Sequence, residues 1–163
     1  LFIALNLLFA VTANKALGLV HCVPSPDGRG GYVVAGKPTA RLKELNDINI
    51  AACDACMAEI KPGVRAVVPH EAARKVIEDA GLLEYMWHLS GYGIGSGYPP
   101  LWAENFSMFG GSEDVIEENM VLTIEPPAFV PPESAGFRLI DNVIVTKTGV
   151  EMLSKTGRDI IEI

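Results

Sequence analysis

The chain has 163 residues, of which 49% are hydrophobic and 20% are charged. This composition is typical of one folded globular domain and argues against intrinsic disorder. Thirteen basic and twenty acidic side chains give a net charge of −7. No Lys/Arg cluster is longer than a pair, whereas a nucleic-acid surface or an anionic membrane surface requires a basic patch. We therefore expect no nucleic-acid partner and no membrane partner.

The first thirteen residues, 1–13, form an apolar run that only Asn6 interrupts. The run is shorter than the roughly 20 apolar residues that span a bilayer. It is interpreted as a buried strand or helix, with a signal-peptide core cleaved after Ala13 as the alternative; no basic stretch precedes it in this sequence. Three cysteines are an odd number for a disulfide framework, which favours reducing surroundings. The expected location is therefore cytoplasmic, or exported if the alternative holds.

Residues 14–37 are rich in turn-forming residues, with a short strand predicted at Tyr32 to Ala35. The glycine-rich stretch 28–31 lacks the lysine and the Ser/Thr of a phosphate-binding loop, so it is interpreted as an ordinary loop.

Two amphipathic helices are predicted after Pro38. Thr39 is a suitable N-cap for the first, which ends before Pro62. The second covers Val68 to Ala80, with Gly81 as its C-terminal stop. The apolar residues at helical spacing are Leu42, Leu45, Ile48, Ala52, Ala55 and Met57 in the first helix, and Ala72, Val76, Ile77 and Ala80 in the second.

The second half of the sequence changes to the two-residue period of strands. A glycine-rich strand starts at Gly91, and 98–119 reads as a loop. Strands are predicted at Met120–Glu125 and Phe137–Thr146, joined by a proline-rich connection over 129–135. Helices followed by antiparallel strands define the α+β class, in a single unit with no internal repeat.

The candidate reactive side chains are few. Cys53 and Cys56 have the spacing of half a zinc or redox site, but no second pair completes it, so both are expected to be packing residues. His70, at the start of a helix, is expected to face solvent. His88 lies beside the glycine-rich strand and is a candidate general base, or else an imidazole bonded to the backbone.

Glu125 is the most informative carboxylate. It ends a predicted strand on the face that it shares with Thr123 and is followed by two prolines. A carboxylate in that position must be paired, bound to a metal or protonated, because burying an unpaired charge is costly. Arg138, on the strand that returns nearby, is the expected partner. A purely structural ion pair and a site role are both open at this point.

Three ordered motifs resemble those of the pita-bread superfamily, which includes aminopeptidase P, prolidase, methionine aminopeptidase and creatinase. The resemblance covers about residues 36–153, and it is closest to the ectoine hydrolase and Xaa-Pro dipeptidase-like branch through Gly97–Glu104. The motifs are Gly91–Gly95, Glu118–Pro126, and Gly136–Asp141 with Val143–Leu153. The resemblance implies the C-terminal part of a pita-bread domain, a curved antiparallel sheet with helices on one face. The chain is then a single domain over 1–163 that is incomplete at its N-terminus.

The resemblance also carries expectations about metals. The peptidases of the superfamily hold two metal ions with two aspartates, one histidine and two glutamates. Tyr92 stands at the histidine position, Glu125 at the first glutamate position and Ile140 at the second. Nothing in 1–37 matches the segment with the aspartates. We therefore expect no metal ligands and no cofactor here, or Mn or Zn if upstream ligands exist in a longer protein.

The implied function is hydrolysis of a C–N bond, amide or amidine, in a small molecule or dipeptide, by an enzyme that is metal-free or inactive as given. Alternatives are a non-catalytic binding module and an inactive fragment of a longer hydrolase. In the enzyme, Glu125 would act as a base or hold a cationic group, and His88 would shuttle the proton. Tyr92 or Arg138 would stabilise the oxyanion. Tyr98 and Trp102 are expected to bind substrate together with Arg138, and a homodimer is implied by the relatives.

Overall fold

The computed structural model describes residues 21–24, 30–34, 36–95, 103–155 and 157–162. The expectations for the apolar run 1–13 and for the loop at 28–29 lie outside these ranges. The helices are α1 (Ala40–Ala58) and α2 (Val67–Asp79), with short 3-10 turns at Leu83–Tyr85 and Pro131–Glu133. The strands are β1 (His21–Pro24), β2 (Gly30–Val34), β3 (Gly91–Ile94), β4 (Ala103–Met108), β5 (Val121–Ile124), β6 (Ala128–Val130), β7 (Ala135–Phe137), β8 (Asp141–Val145), β9 (Val150–Met152) and β10 (Ile161–Glu162).

Helix α1 begins where the sequence predicts it, because the Thr39 hydroxyl accepts a hydrogen bond from the Leu42 N–H. Its buried face differs from the predicted apolar stripe. Two asparagines, Asn46 and Asn49, are buried on it, while Ala55 and Met57 are only partly buried. A pattern based on apolar residues alone misses this face because an amide can be buried when it forms hydrogen bonds inside the protein, as Asn49 does at both ends. The buried residues of α1 are Leu45, Asn46, Asn49, Ala52, Cys53 and Cys56.

Helix α2 has Pro69 in its first turn. Gly81, predicted to stop the helix, lies just after its C-terminal end with a φ of +72°, a left-handed conformation that favours glycine. The expectation that His70 faces solvent is wrong: His70 is 8% exposed. Its Nδ1 lies 2.9 Å from the Ser90 hydroxyl, which gives the buried ring a polar partner. The buried face again differs from the predicted stripe, since it consists of Pro69, His70, Ala73 and Ile77, while Ala80 is exposed.

The main sheet has five strands in the order β4-β3-β5-β8-β9, and every neighbouring pair is antiparallel. Alternate residues point to opposite faces of such a sheet. One face contributes Leu122 and Val143 to the hydrophobic core, which also contains Leu45 and Ile77 of the two helices. The helices therefore cover this face, as the α+β prediction requires.

Three strand predictions need correction. The segment predicted as a loop over 98–119 contains β4, an edge strand whose largely polar sequence hides its pattern. The single strand predicted for 137–146 is divided into β7 and β8. It breaks because the Leu139 N–H donates to the Asn49 side chain rather than to a neighbouring strand. The connection predicted over 129–135 is instead part of a hairpin of β6 and β7.

A smaller sheet has the order β1-β2-β10, in which β2 pairs antiparallel with β1 and parallel with β10. The short strand predicted at 32–35 corresponds to β2, but β2 begins at Gly30, so the expectation of a loop is wrong for Gly30 and Gly31. Among the described residues, neither helix is both long enough and apolar enough to cross a bilayer.

Candidate active site

Polar side chains lie side by side on the sheet face opposite the helices. Tyr92 of β3 pairs in register with Thr123 of β5, and Thr123 pairs with Asn142 of β8. Thr123 and Asn142 directly follow or precede core residues, Leu122 and Val143, that point to the opposite face. The strand period therefore places a phenol, a hydroxyl and an amide in one row across the sheet.

This row lines a cavity of about 380 Å³. Gly95, Ile94 of β3 and Ile140, which directly precedes β8, contribute to its walls. The lining residues are Tyr92, Ile94, Gly95, Thr123, Glu125, Arg138, Ile140 and Asn142. Both charged members directly follow a strand: Glu125 follows β5 and Arg138 follows β7.

Glu125 and Arg138 form the ionic core of the cavity, and their predicted contact is confirmed. Arg138 Nη2 lies 2.7 Å from Glu125 Oε1, and Arg138 Nε donates to Oε2 at 3.2 Å. The arrangement is two-pronged, which is the favourable geometry for a guanidinium and a carboxylate. The Glu125 side chain is 1% exposed and that of Arg138 is 33% exposed. A ligand in the cavity would therefore reach the guanidinium, with the carboxylate beneath it.

The backbone around Glu125 is fixed by hydrogen bonds. Its own N–H donates to the Ser90 carbonyl at 2.8 Å, and the Ser90 N–H donates to the Met108 carbonyl at 2.9 Å. The Ser90 hydroxyl contacts His70. Burial lowers the pKa of His70, so the neutral ring is favoured in the folded protein. Sequence reasoning missed this support, because it placed His70 in solvent.

Of the other three predicted site residues, the structure describes only His88. His88 is exposed, and its Nδ1 lies 3.3 Å from the neighbouring Leu89 carbonyl oxygen; it is not among the lining residues. Tyr98 and Trp102 lie outside the described residues.

The two cysteines of α1 are packing residues, as predicted. Both are free thiols with no exposed surface. Burial raises the pKa of Cys56 to about 12 and that of Cys53 well above its usual value, so neither is a thiolate nucleophile near neutral pH.

The fold and the cavity together define an α+β protein with a cavity on one face of an antiparallel sheet. A match of residues 31–147 to the model of metallopeptidase family M24 narrows this class. The match covers most of the sequence, and the chain belongs to metallopeptidase family M24, whose members have the pita-bread fold expected above.

Known proteins of this family resemble the chain in sequence and structure. The Xaa-Pro dipeptidase of Lactobacillus delbrueckii subsp. lactis is 35% identical over 129 residues, which cover 78% of this chain and 33% of that protein. The X-Pro aminopeptidase of Thermotoga maritima superposes with a TM-score of 0.76 at 26% identity, over 83% of this chain and 37% of that one. The prolidase of Pyrococcus furiosus superposes with a TM-score of 0.73 at 31% identity, over 80% of this chain and 37% of that one. The chain thus spans about a third of the length of these relatives.

The family name implies bound metal, so the donors in the cavity can be compared with the needs of a metal ion. A divalent ion held by protein side chains needs several oxygen, nitrogen or sulfur ligands. The cavity lining has one carboxylate, Glu125, which the Arg138 guanidinium already occupies, and Ile140 offers no donor. In the part of the chain that the structure describes, no three His, Cys, Asp or Glu side chains are grouped for a metal. These donors do not fit a two-metal centre.

Proposed function

We propose that this chain forms a substrate site of a hydrolase that cleaves a C–N bond in a dipeptide or a similarly small molecule. Xaa-Pro dipeptides are the first class to test, because several similar proteins are Xaa-Pro dipeptidases. The observation that carries the proposal is the buried Glu125–Arg138 pair in the wall of the cavity.

A buried ion pair is a costly way to stabilise a fold. Removing two charges from water costs several kcal/mol per ion, and well-packed apolar side chains are often as stable. A charge pair in a cavity wall can instead hold and polarise a ligand. Glu125 and Arg138 occupy such a position, and the cavity volume of about 380 Å³ suits a small ligand.

The proposed roles use the polar groups that line the cavity. Water attacks the amide carbon, Glu125 accepts a proton from that water, and Arg138 or Tyr92 donates a hydrogen bond to the carbonyl oxygen as it becomes negative. The C–N bond then breaks, and the proton passes to the leaving nitrogen. His88 as the shuttle for this proton stays a prediction. Substrate contacts by Tyr98 and Trp102, a homodimer and a cytoplasmic location likewise stay predictions.

The test is hydrolysis of an Xaa-Pro dipeptide panel by the full chain, run with a chelator and again with added Mn²⁺. Glu125→Gln, which removes the base and keeps the shape, should lower kcat by about a hundredfold or more. Glu113→Gln is the matched control, because Glu113 pairs with Arg65 on the surface, and its side chain is 79% exposed.

Equal turnover by wild type and Glu125→Gln would contradict the assigned base. Binding of dipeptides without any turnover, in either metal condition, would instead favour a binding module. Turnover only with Mn²⁺ would show that ligands beyond the cavity lining complete the site.

A further inference from the structure

Asn49 of α1 connects the two segments that carry the charged pair. Its side chain is buried, with 1% of the residue exposed. Its Nδ2 donates to the Pro126 carbonyl at 2.5 Å, and its Oδ1 accepts from the Leu139 N–H at 2.6 Å. Pro126 directly follows Glu125, and Leu139 directly follows Arg138. One amide thus bridges the residues next to both partners.

The position is unusual for an asparagine. Asparagine is a weak helix former, because its amide competes for backbone hydrogen bonds. The large majority of buried polar side-chain atoms in proteins have a hydrogen-bond partner. The donor and the acceptor of the Asn49 amide both find one, each in a different loop. Both loops lie just outside regular strands, where the sheet ladder does not hold the backbone.

Asn46 provides a natural comparison on the same helix face. It is also buried, at 4% exposed, and its Nδ2 donates to the Arg158 carbonyl at 3.3 Å. This bond ties α1 to the C-terminal segment and not to the cavity. The Oδ1 of Asn46 has no hydrogen-bond partner among the described residues, so a purely structural role predicts a larger loss of stability at Asn49 than at Asn46. A role in the site predicts, in addition, a loss of kcat at Asn49 alone.

We propose that Asn49 is the positioning residue of the site: it holds the backbone after Glu125 and after Arg138 so that their side chains meet in the two-pronged geometry. The inference rests on the proposed function for its catalytic consequence. A displacement of about 1 Å in such a pair can lower the rate by about a hundredfold. Asn49 acts through Glu125 and Arg138 and does not line the cavity.

The first test measures turnover of the dipeptide that the wild type cleaves best. Asn49→Ala should lower kcat by about tenfold or more and change KM by less than about threefold, since the base and the oxyanion donor lose alignment. Asn46→Ala should leave both constants within about twofold of wild type once the folded fraction is equal. Equal kcat losses in the two variants would overturn the positioning role.

The second test does not need activity and therefore separates this inference from the proposed function. Unfolding equilibrium constants are measured for Asn49→Ala, Arg138→Lys and the double variant; lysine keeps the charge but loses the fork. If Asn49 holds the pair, the change in the unfolding equilibrium constant of the double variant differs by about threefold or more from the product of the two single changes. Additive effects would overturn the inference even if the dipeptides are cleaved.

The matched cycle combines Asn46→Ala with Arg138→Lys and should be additive within about twofold. Equal coupling in both cycles would contradict a specific role for Asn49. If Asn49→Ala does not fold, Asn49→Ser replaces it in both tests, because its hydroxyl can bond to one of the two loops. Asn49→Ser should then show a smaller loss of kcat and a smaller coupling with Arg138→Lys than Asn49→Ala would. Additive effects on the unfolding equilibrium constant would again overturn the inference.

Discussion

Glu125 is a buried carboxylate whose charge is balanced by a partly exposed arginine. Arg138→Met should therefore destabilise the chain by about 3 kcal/mol, because removing one partner leaves a buried charge uncompensated. Urea denaturation followed by circular dichroism measures the change. Arg65→Met is the control: its pair with Glu113 is exposed, and such pairs contribute at most about 1 kcal/mol. Losses of equal size would contradict the burial argument.

The buried ring of His70 makes the stability of the fold depend on pH. Its pKa is lowered from 6.5 by burial, so the unfolded chain binds a proton at a pH where the folded chain does not. Protonation thus favours unfolding, and stability is lost as the pH falls below about 6.5. Over that range, stability should fall less steeply in His70→Gln than in wild type. The substitution leaves every other titratable group in place, so parallel curves would show that His70 is not responsible.

Strand β3 can pack closely against its neighbours because position 91 is a glycine. A Cβ built there would lie 2.2 Å from the Thr123 carbonyl oxygen and 2.4 Å from the Met108 methyl carbon. Gly91→Ala must both separate β3 from β5 and move the Met108 methyl group, and it should lower the free energy of unfolding measured in urea by about 1–3 kcal/mol. Gly149→Ala is the control, since a Cβ at Gly149 meets nothing within 4 Å. A Gly91→Ala variant as stable as wild type would show that the strands adapt freely.

The elements also show which structure could be predicted from the sequence. The start of α1 and the stop after α2 follow from Thr39 and Gly81, whose local chemistry is independent of the rest of the chain. The break at Leu139 depends on an amide 90 residues earlier, and no local pattern encodes such a contact. The pairing of Glu125 with Arg138 can be predicted from the sequence, because consecutive predicted strands bring the two residues together. The role of Asn49 could not be predicted in this way, because a polar residue does not contribute to an apolar pattern.

Arg158 ties the C-terminal segment to the rest of the molecule. Its Nη2 lies 2.7 Å from the Asp141 carboxylate, which is fully buried at the start of β8, and its Nη1 pairs with Asp54 of α1. The segment therefore contacts a helix and the main sheet at once. Arg158→Met should destabilise the chain by about 3 kcal/mol, because the Asp141 charge loses its guanidinium partner.

Chemical denaturation followed by both fluorescence and circular dichroism tests this prediction, since one cooperative unit gives coincident transitions. Arg74→Met is the control, because the pairs of Arg74 with Glu71 and Glu78 lie on the surface of α2. A loss no larger in Arg158→Met than in Arg74→Met would show that the C-terminal segment contributes little to the fold.

The central claim for the molecule is that the cavity of the Glu125–Arg138 pair receives the substrate. The most direct measurement is a two-dimensional amide NMR titration of the full chain with an Xaa-Pro dipeptide, using Glu125→Gln to prevent turnover. The account predicts saturable shifts of the Tyr92, Thr123 and Asn142 signals, and their loss when Arg138→Lys is added. Saturable shifts confined to residues away from these three would contradict it, as would a dipeptide that shifts no signal at millimolar concentration.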